Sequence, residues 1–472
     1  MPLPNTRKQK RKRPLGWRRK THGLIAVCCF FLLLPEMKRT EVATVSLGLQ
    51  TEEAARGAAN SEVTEMQIAP WSVTVQSGGL NYVLAKLEPP SGAYLGAYVL
   101  QDRMIGFSMS EFNRLTGKKH ASFFKYVGYG EPFPAEWVEQ VKKEGAFPHI
   151  AWEPNRGLDE VRDDVYLRMF ARSAGEADVP LFIRFASEMN GSWTRYSGDP
   201  ARYIEAFRMV HDVLEEEAPK AAMVWTVLSL PEKTIESYYP GDRYVDWVGV
   251  NVYNVKYHNG NAQQKADFED PLLLLDYVYN RYSRAKPIQL SEFGATHYTA
   301  TDGIKDVAFA SEKIARLYTM LPKHYPRVKA IYYFNVNNLT EYNETRRVND
   351  YSITKEPELL DAYRLGTAGE YYLSDVPPAA GDGSLMPVNE TFTYRTYLFK
   401  KDGILYSDET LFTRLLRTAA TKEPSTQRRI WSGYKDIGVP IMRELNAFPL
   451  EETARRLGYK VKTNGTDITI QE

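Results

Sequence analysis

Cysteine is almost absent from this chain of 472 residues, which has only Cys28 and Cys29. Both lie in one apolar stretch near the N-terminus, so the rest of the chain carries no thiol. This excludes a disulfide framework, a cysteine nucleophile and a thiolate metal site from the remaining domains. The seven histidines form no H-x-x-x-H or H-E-x-x-H pattern, so we expect no catalytic metal and no other cofactor.

An excess of charge of one sign is also missing. The chain has 60 Lys and Arg against 59 Asp and Glu, a formal net charge of +1. A basic surface spread over the whole protein is therefore excluded, and we expect no nucleic-acid partner. The balance conceals a strongly basic N-terminus, because nine of the Lys and Arg residues fall between Arg7 and Lys20.

One uninterrupted apolar run, Leu24 to Leu34 (LIAVCCFFLLL), follows this basic segment. It fits the core of a signal peptide, whereas a membrane-spanning helix needs about 20 residues. Lys38 and Arg39 follow closely and no A-x-A cleavage site is present, so a cleaved signal peptide and a retained anchor both stay open. Either implies a secreted or cell-surface protein, with this segment as one route of contact with a cell wall or membrane.

A glycine-rich phosphate loop is missing, since the chain contains no G-x-G-x-x-G and no G-x-x-x-x-G-K. An open doubly wound sheet normally carries such a loop. From Gly92 onward, short apolar runs alternate with amphipathic stretches, which is the pattern of βαβ units. We predict strands at Ala93–Val99, His120–Val127, Phe147–Trp152, Pro180–Ala186, Ala221–Val227, Trp247–Tyr253, Pro287–Ser291 and Val328–Phe334. This repetition favours an α/β fold with a closed (β/α)8 TIM barrel.

The predicted organisation has five parts. Residues 1–48 are a signal peptide or anchor with spacer, 49–91 a leader segment, 92–366 the barrel, 367–390 a Pro- and Gly-rich linker, and 391–472 a small α+β module. Helices are predicted at Pro134–Lys143, Pro200–Glu217, Val307–Leu321 and Pro357–Arg364. In the module, a helix over Leu445–Leu457 precedes a hairpin over Lys460–Gln471 that turns at Asn464-Gly465.

Two carboxylates fall where a barrel carries its chemistry, at the C-terminal ends of strands. Glu188 follows the fourth predicted strand and Glu292 follows the seventh. These strands are three apart in a ring of eight, so their ends face each other. Such a pair suits a retaining glycosidase, whose carboxyl groups stand about 5–5.5 Å apart. We therefore predict Glu188 as the acid/base and Glu292 as the nucleophile, with pKa values separated by their surroundings.

Side chains near the same strand ends are candidates for substrate binding. Pyranose rings stack on aromatic faces, and Trp193, in the loop after Glu188, is the strongest candidate. For Trp225 and Phe334, packing in the core is an equally good interpretation. Arg184 is predicted to point inward as a partner of the glutamate pair. The full set of predicted substrate-binding residues is Arg184, Ser187, Asn190, Trp193, Tyr253, Trp152, Trp225 and Phe334.

The segment RFASEMNGSWTRY resembles the fourth-strand signature of glycoside hydrolase family 26, the family of β-mannanases. In that signature an Arg precedes a His-Glu pair and a Trp follows the Glu by five residues; the matching residues here are Arg184, Glu188, Asn190, Gly191 and Trp193. The family's strand-seven nucleophile falls on Glu292, and its nucleophile-orienting Tyr on Tyr253. The resemblance covers residues 92–337. It implies endo-acting, retaining hydrolysis of a β-linked polysaccharide.

Two positions depart from the family pattern. Ser187 stands where the family has a His that helps to organise the nucleophile and the sugar, and a serine reaches less far and carries no charge. Phe334 stands where the eighth strand normally ends in Trp. Both departures bear on mannan specificity more than on hydrolysis, and they leave open a protein that binds glycan without cleaving it.

The C-terminal module resembles the small stalk-like units named after the N-terminal domain of copper amine oxidases. The likeness rests on Gly438–Glu444 and Ala454–Tyr459, and it implies no copper because no His or Cys follows residue 324. A spacer or a wall- or glycan-binding module is expected.

Three functions remain to be weighed. The leading one is a retaining endo-β-glycanase acting on a β-mannan-like or mixed-linkage glucan. The alternative is a non-catalytic carbohydrate-binding or scaffold protein. A metal-dependent hydrolase or phosphate-binding isomerase is disfavoured by the missing histidine cluster and phosphate loop.

Overall fold

The computed structural model describes residues 67–76, 80–340, 347–388, 391–407, 411, 448–456, 458–465 and 467–471. The chain divides into two units, Met1–Val42 and Ala43–Glu472, and all described residues belong to the second. The predicted signal or anchor segment lies outside the described residues. Among the residues that are described, no helix is long and apolar enough to span a membrane.

The described strands and helices alternate through most of the chain. The strands are β1 (Gln67–Gln76), β2 (Leu80–Val83), β3 (Ala93–Tyr98), β4 (Ser122–Gly128), β5 (Phe147–Glu153), β6 (Leu181–Phe185), β7 (Ala221–Leu228), β8 (Trp247–Asn254), β9 (Ile288–Ala295), β10 (Tyr298–Thr299), β11 (Val328–Phe334), β12 (Asn349–Asp350), β13 (Tyr372–Leu373), β14 (Leu385–Val388), β15 (Thr391–Lys401), β16 (Ile404–Ser407), β17 (Phe448–Pro449), β18 (Lys460–Asn464) and β19 (Asp467–Gln471). The α-helices are α1 (Met109–Thr116), α2 (Ala135–Lys143), α3 (Val165–Glu176), α4 (Pro200–Glu217), α5 (Pro271–Tyr282), α6 (Val307–His324), α7 (Pro357–Thr367) and α8 (Leu450–Arg456).

Eight parallel strands close into a barrel, which confirms the predicted (β/α)8 fold. They follow one another around the ring as β3, β4, β5, β6, β7, β8, β9 and β11, and are called barrel strands one to eight below. Closure is made by strand eight pairing in parallel with strand one, from Ala330 opposite Tyr94 to Phe334 opposite Tyr98. Between strands five and six, where every residue is described, short 3-10 turns replace an α-helix.

The predicted strands differ from the observed ones mainly at their ends. Strand seven continues to Ala295, so Glu292 lies within a strand rather than after it. Its pairing with strand six shifts register between Val250 and Asn251, which places Asn251 opposite Glu292. Such bulges re-aim side chains beside active sites. Here the shift brings polar side chains of two strands to the same place.

Two apolar layers surround the barrel wall. One fills the barrel, where Tyr94, Phe182, Trp247 and Tyr332 are buried, and the other lies between the wall and the helices. Gly96 on strand one makes room for the inner layer, because a Cβ atom there would lie 2.4 Å from the ring of Tyr332. The interior is therefore filled with side chains, as expected of a barrel of this size.

The segment before strand one, part of the predicted leader, packs against the barrel where the strands begin. The Trp247 indole donates to the Lys86 carbonyl oxygen at 2.6 Å, and the Tyr94 hydroxyl donates to the Leu87 carbonyl oxygen at 2.9 Å. Arg327 donates to both oxygens of Glu88 at 3.0 and 3.2 Å. Since these partners lie at or just before the starts of strands six, one and eight, residues 86–88 lie across the N-terminal end of the barrel.

The small domain is built from both ends of the described chain, and its boundary differs from the predicted 391–472. Its sheet runs β17-β16-β15-β1-β19-β18, and β1 comes from the predicted leader. β1 pairs antiparallel with β15 over ten positions and parallel with β19. The predicted hairpin is present as β18 and β19. The predicted linker is partly structured, since β13 pairs with strand one and β14 with β2.

The copper amine oxidase-like motif falls partly beyond the described residues. Gly438–Glu444 lies outside them, as does the start of the helix predicted over Leu445–Leu457, which is observed at Leu450–Arg456. Gly458 adopts a positive φ of 93° just after that helix, as expected of a residue that ends a helix.

Candidate active site

Glu188 is presented by a strained turn at the end of strand four. Ala186 and Glu188 have φ values of 49° and 60°, in the left-handed region that side chains with a Cβ atom rarely adopt. Each such residue costs of the order of 1–3 kcal/mol and persists only when its surroundings enforce it. The Ala186 amide donates to the Trp152 carbonyl oxygen and the Glu188 amide to that of Thr226, both at 3.0 Å, which ties the turn to strands three and five.

Two neutral donors contact the Glu188 carboxyl group. The Asn251 amide nitrogen donates to Oε1 at 2.7 Å, and the Trp193 indole donates to Oε2 at 3.1 Å. Trp193 is 50% exposed, so part of its ring is accessible to solvent beside Glu188. Gly191 allows the ring to fold back, since a Cβ atom there would lie 2.3 Å from it. Trp193 therefore has one part exposed to solvent and another bonded to the predicted acid/base.

Glu292 is buried among stronger donors. Arg184, fully buried, donates to its Oε1 at 2.6 Å. The hydroxyl groups of Tyr126 and Tyr253 donate to Oε1 and Oε2. The guanidinium of Arg184 also lies over the rings of Phe124 and Tyr126, at 5.1 and 5.5 Å from their centroids. One cation and two phenols thus converge on this carboxylate, and these hydrogen bonds fix its orientation.

The electrostatic environment of Glu188 is different. Burial, together with the negative charge of Glu292, raises the pKa of Glu188 to about 7. The Asn251 hydrogen bond and the charge of Arg184 act in the opposite direction. The two glutamates therefore have distinct surroundings: the pKa of Glu188 is raised to about 7, and Glu292 bonds the Arg184 cation. Paired carboxyl groups that differ in this way divide the roles of acid and nucleophile between them.

Phe334 and Tyr253 form an aromatic wall next to Glu292. Phe334 stacks on Tyr98 with ring centroids 5.5 Å apart and meets Tyr253 edge-on at 5.6 Å. Tyr351 contacts both Phe334 and Tyr253. Phe334 is mostly buried by these neighbours. The structure thus brings together six of the predicted residues: Glu188, Glu292, Arg184, Trp193, Tyr253 and Phe334.

Trp152 and Trp225 do not belong to the site, and their prediction as sugar platforms is wrong. Both are fully buried in the layer between the barrel wall and the helices. Trp152 stacks on Phe170 at 3.9 Å, and Trp225 packs edge-on against Tyr239 and Tyr282. The reason is strand geometry, because successive side chains point to opposite faces. The neighbours of Trp152 and Trp225 face the barrel interior, so the tryptophans face the helices.

Ser187 and Asn190 lie beside the site, but their polar atoms are used within the protein. The Asn190 amide bonds the Leu228 backbone in both directions, at 2.8 and 2.9 Å, which ties the Trp193 loop to the end of strand five. The Ser187 hydroxyl donates to Glu153 at 2.5 Å. Both side chains are buried, and the hydrogen bonds named here lie within the protein. A role for Ser187 and Asn190 in substrate binding stays a prediction.

Four polar residues of the site were not predicted: Tyr126, Glu153, Tyr196 and Asn251. Asn251 lies two residues before Tyr253 on strand six, and residues i and i+2 share a face of a strand. The same rule applies to Tyr126, close to the end of strand two. Both were therefore within reach of sequence reasoning. Glu153 and Tyr196 had no such signal, because their partner Ser187 lies in an irregular turn.

A metal site is not evident in the described ranges. No group of three or more His, Cys, Asp or Glu side chains there is arranged to hold a metal ion.

A closed parallel barrel with the half-buried Glu188 and the buried Glu292, at the C-terminal ends of strands four and seven, defines the class of the barrel glycoside hydrolases. A segment of the sequence is similar to one particular family: residues 157–276 match the model of glycosyl hydrolase family 26. The matched segment includes Arg184, Glu188, Trp193 and Asn251, but ends before Glu292 and does not reach the small domain.

Similar proteins include several glycanases. Endoglucanase H of Acetivibrio thermocellus is 25% identical over 298 residues, 58% of this chain and 30% of that protein. Beta-1,3-xylanase TXYA of a Vibrio species is 30% identical over 124 residues, 24% of this chain and 26% of that protein. The chain therefore spans less than a third of the length of either relative.

Similar solved structures include two family 26 mannanases. The catalytic domain of an endo-beta-1,4-mannanase from Bacillus sp. JAMB-750 is 16% identical with a TM-score of 0.46, covering 63% of this chain and 90% of that chain. A beta-mannanase from Bacteroides ovatus is 16% identical with a TM-score of 0.43, covering 62% of this chain and 93% of that chain.

Proposed function

We propose that this protein is a retaining endo-β-glycanase that hydrolyses O-glycosidic bonds of a β-linked polysaccharide. The observation that carries the proposal is the contrast between two glutamates on facing strands. Glu292 receives hydrogen bonds from Arg184, Tyr126 and Tyr253, whereas Glu188 accepts only from neutral donors and its pKa is raised to about 7. A double displacement needs one carboxylate that attacks and one carboxylic acid that protonates the leaving group.

The reaction follows from these positions in two steps. In the first, a Glu292 oxygen attacks the anomeric carbon while Glu188 gives its proton to the departing glycosidic oxygen, which leaves a glycosyl ester on Glu292. In the second, Glu188, now ionised, takes a proton from water as that water attacks the anomeric carbon and releases Glu292. Arg184 and the two phenols orient Glu292 throughout, and Glu188 returns to its starting protonation state.

The substrate class is proposed as a β-mannan-like or mixed-linkage glucan chain. Support comes from the activities of two similar proteins, an endoglucanase and a β-1,3-xylanase, and from the resemblance of the fourth-strand segment to the β-mannanase signature. The test incubates residues 49–472 with β-mannan, mixed-linkage glucan, β-1,3-xylan and β-1,4-xylan, and measures reducing ends. Proton NMR of the first products reports the anomeric configuration. Release of products whose first-formed anomer is inverted would contradict the retaining mechanism.

A non-catalytic glycan-binding protein is the second candidate. The observation in its favour is Ser187, which stands at the family's histidine position and directs its hydroxyl to Glu153 instead of the cleft. Binding of a polysaccharide in affinity electrophoresis, with no reducing ends released by the wild-type chain, would support this candidate over the enzyme.

We expect kcat/KM to fall as the pH rises through about 7, because the protonated form of Glu188 is the reactive one and burial raises its pKa to about 7. Asn251→Ala removes a hydrogen bond that favours the ionised form, so the alkaline limb should move to higher pH in this variant. The measurement is the pH profile of kcat/KM for both proteins. A limb near pH 4.5, or one that moves down in Asn251→Ala, would show that Glu188 is not the titrating acid.

We also propose a secreted or cell-surface location, supported by the basic segment and apolar run within residues 1–48. The small domain is proposed as a spacer or a wall- or glycan-binding module. Fractionation of cells that express the full chain tests both: recovery of the protein in the cytoplasmic fraction would contradict the first proposal, and failure to sediment with isolated cell walls would exclude wall binding.

A further inference from the structure

A third buried carboxylate, Glu153, lies at the end of strand three beside the turn that carries Glu188. Three donors converge on it. The Ser187 amide donates at 3.1 Å, the Ser187 hydroxyl at 2.5 Å and the Tyr196 hydroxyl at 2.7 Å. Glu153, Ser187 and Tyr196 are all at most 8% exposed. A buried carboxylate is costly unless hydrogen bonds offset the loss of water, as these three do, and the two-step reaction above gives Glu153 no role.

The three residues form a clamp around a single residue of the turn. The Tyr196 hydroxyl also lies 2.8 Å from the Ser187 carbonyl oxygen, so the amide, the hydroxyl and the carbonyl oxygen of Ser187 are all held. Ser187 stands between Ala186 and Glu188, the two residues with left-handed backbone. A turn with two such residues keeps its shape only if the surroundings enforce it. The clamp acts at the middle of the strained segment.

We propose that Glu153 is a positioning residue for Glu188: by holding Ser187 from three sides with Tyr196, it fixes the turn that aims the Glu188 carboxyl group. The proposal rests on the proposed function in giving Glu188 the role of general acid. It also gives a reason for a serine at position 187. The short side chain lets the Ser187 hydroxyl donate to Glu153 while the Ser187 backbone amide donates to the same carboxylate.

Glu153 acts on Glu188 through charge as well as through the turn. The groups that face Glu188 are Glu292, Arg184 and Glu153, which are charged, together with the amide of Asn251 and the phenols of Tyr196, Tyr253 and Tyr351. The negative charge of Glu153 raises the pKa of Glu188. Burial raises the pKa of Glu153 itself, while Arg184 and the three hydrogen bonds lower it. Glu153→Gln therefore removes charge next to the acid and should lower the pKa of Glu188.

The Trp193 indole provides a readout that does not depend on turnover, because its N–H donates to Glu188. Protein labelled with 15N at tryptophan gives at most one indole signal for each of its 8 tryptophans, and Trp193→Phe assigns the signal of Trp193. In the wild type we expect this signal to titrate with a midpoint of about 7, the pKa to which burial raises Glu188. In Glu153→Gln we expect a lower midpoint and a displaced signal at every pH, since both charge and turn change.

Two further variants make the test specific. Glu160→Gln is the matched control, because Glu160 lies in the connection after the same strand and pairs with the exposed Arg156; its titration should equal that of the wild type. Tyr196→Phe removes one arm of the clamp without changing the charge. It should displace the Trp193 signal in the same direction by a smaller amount, and it serves as the test if Glu153→Gln does not fold.

Kinetics give the second readout. On the polysaccharide that the substrate panel identifies, Glu153→Gln should lower kcat roughly 10- to 100-fold, at or below the usual contribution of general acid catalysis, with KM changed less than about 2-fold. An unchanged Trp193 titration in both Glu153→Gln and Tyr196→Phe overturns the positioning role. A chain that hydrolyses nothing, but whose Trp193 signal responds as described, overturns the proposed function and leaves Glu153 as the residue that positions Glu188.

Discussion

Glu292→Gln should lower kcat on the substrate polysaccharide by roughly 10⁴- to 10⁶-fold, the range seen when a nucleophile that acts in concert with its neighbours is removed. The glutamine side chain has nearly the same shape and retains an oxygen that can accept from Arg184 and Tyr126, while its NH2 group can donate to the Tyr253 hydroxyl, which contacts the other oxygen of Glu292. It cannot form the glycosyl ester, because an amide is a poor nucleophile. The loss therefore measures the chemistry of the carboxylate and not a gap in the packing.

Glu292→Ala makes the complementary test. It leaves Arg184 fully buried without the carboxylate that it bonds at 2.6 Å, and an uncompensated buried charge costs about 3–5 kcal/mol. We expect a lower midpoint of thermal unfolding with the barrel still folded, as seen by circular dichroism. Azide or formate can occupy the space beside Arg184, and azide should restore turnover of an activated aryl glycoside with formation of an inverted glycosyl azide.

Two outcomes would contradict these expectations for Glu292. Turnover of Glu292→Gln within about 10-fold of the wild type would show that another group is the nucleophile, since a missing nucleophile costs far more. Glu188→Ala separates the two roles: it should lose activity on the polysaccharide yet keep much of it on an aryl glycoside whose leaving group needs no proton. Equal losses on both substrates would assign Glu188 a role other than that of the acid.

The barrel and the position of the glutamate pair were predictable because they depend on local patterns. Each strand is a short apolar run, each long helix has one apolar face, and the alternation of the two defines a parallel barrel. Helix α4 was predicted with its observed bounds, Pro200–Glu217, because Asp199 caps its N-terminus and Pro200 begins it. Once the strands are counted, Glu188 and Glu292 lie at the catalytic end of the barrel by the geometry of the fold.

It was harder to predict whether a side chain near a strand end points into the barrel or towards the helices. Trp152 was expected to face sugar, yet its neighbours Ala151 and Glu153 face inward and it faces the helices. A strand end must be placed to within one residue for this alternation to be right. The direction of Ser187 follows from the left-handed backbone on both of its sides, and a hydrophobic pattern carries no information about that conformation.

The sequence patterns could not predict which distant segments of the chain pair with each other. Strand β1 bonds β15 and β19, both more than 300 positions further along the chain. The alternation in QIAPWSVTVQ is compatible with a strand, but it does not identify the partners. The same applies to Glu88. It lies in the predicted leader segment, and nothing in the sequence indicated that it forms an ion pair with Arg327. Such contacts depend on how complete elements pack together.

Glu88→Ala should be the most destabilising single change in the segment before the barrel, lowering the free energy of unfolding by about 3–5 kcal/mol. Glu88 is fully buried and Arg327 is 3% exposed. Arg327 bonds both Glu88 oxygens and the carbonyl oxygens of Ser283 and Arg284. Removing the carboxylate leaves the buried guanidinium of Arg327 without its anion at the N-terminal end of the barrel.

Urea unfolding of three further variants decides whether the effect is electrostatic. Lys220→Ala breaks the pair with Asp178, in which both side chains are 76% exposed, and should cost less than about 1 kcal/mol. The double variant Glu88→Leu/Arg327→Leu removes both buried charges, so it should be less destabilised than either single leucine variant. If the double variant instead lost the sum of the single losses, the segment would be held by packing around Tyr82 and Leu87, and the ion pair would contribute little.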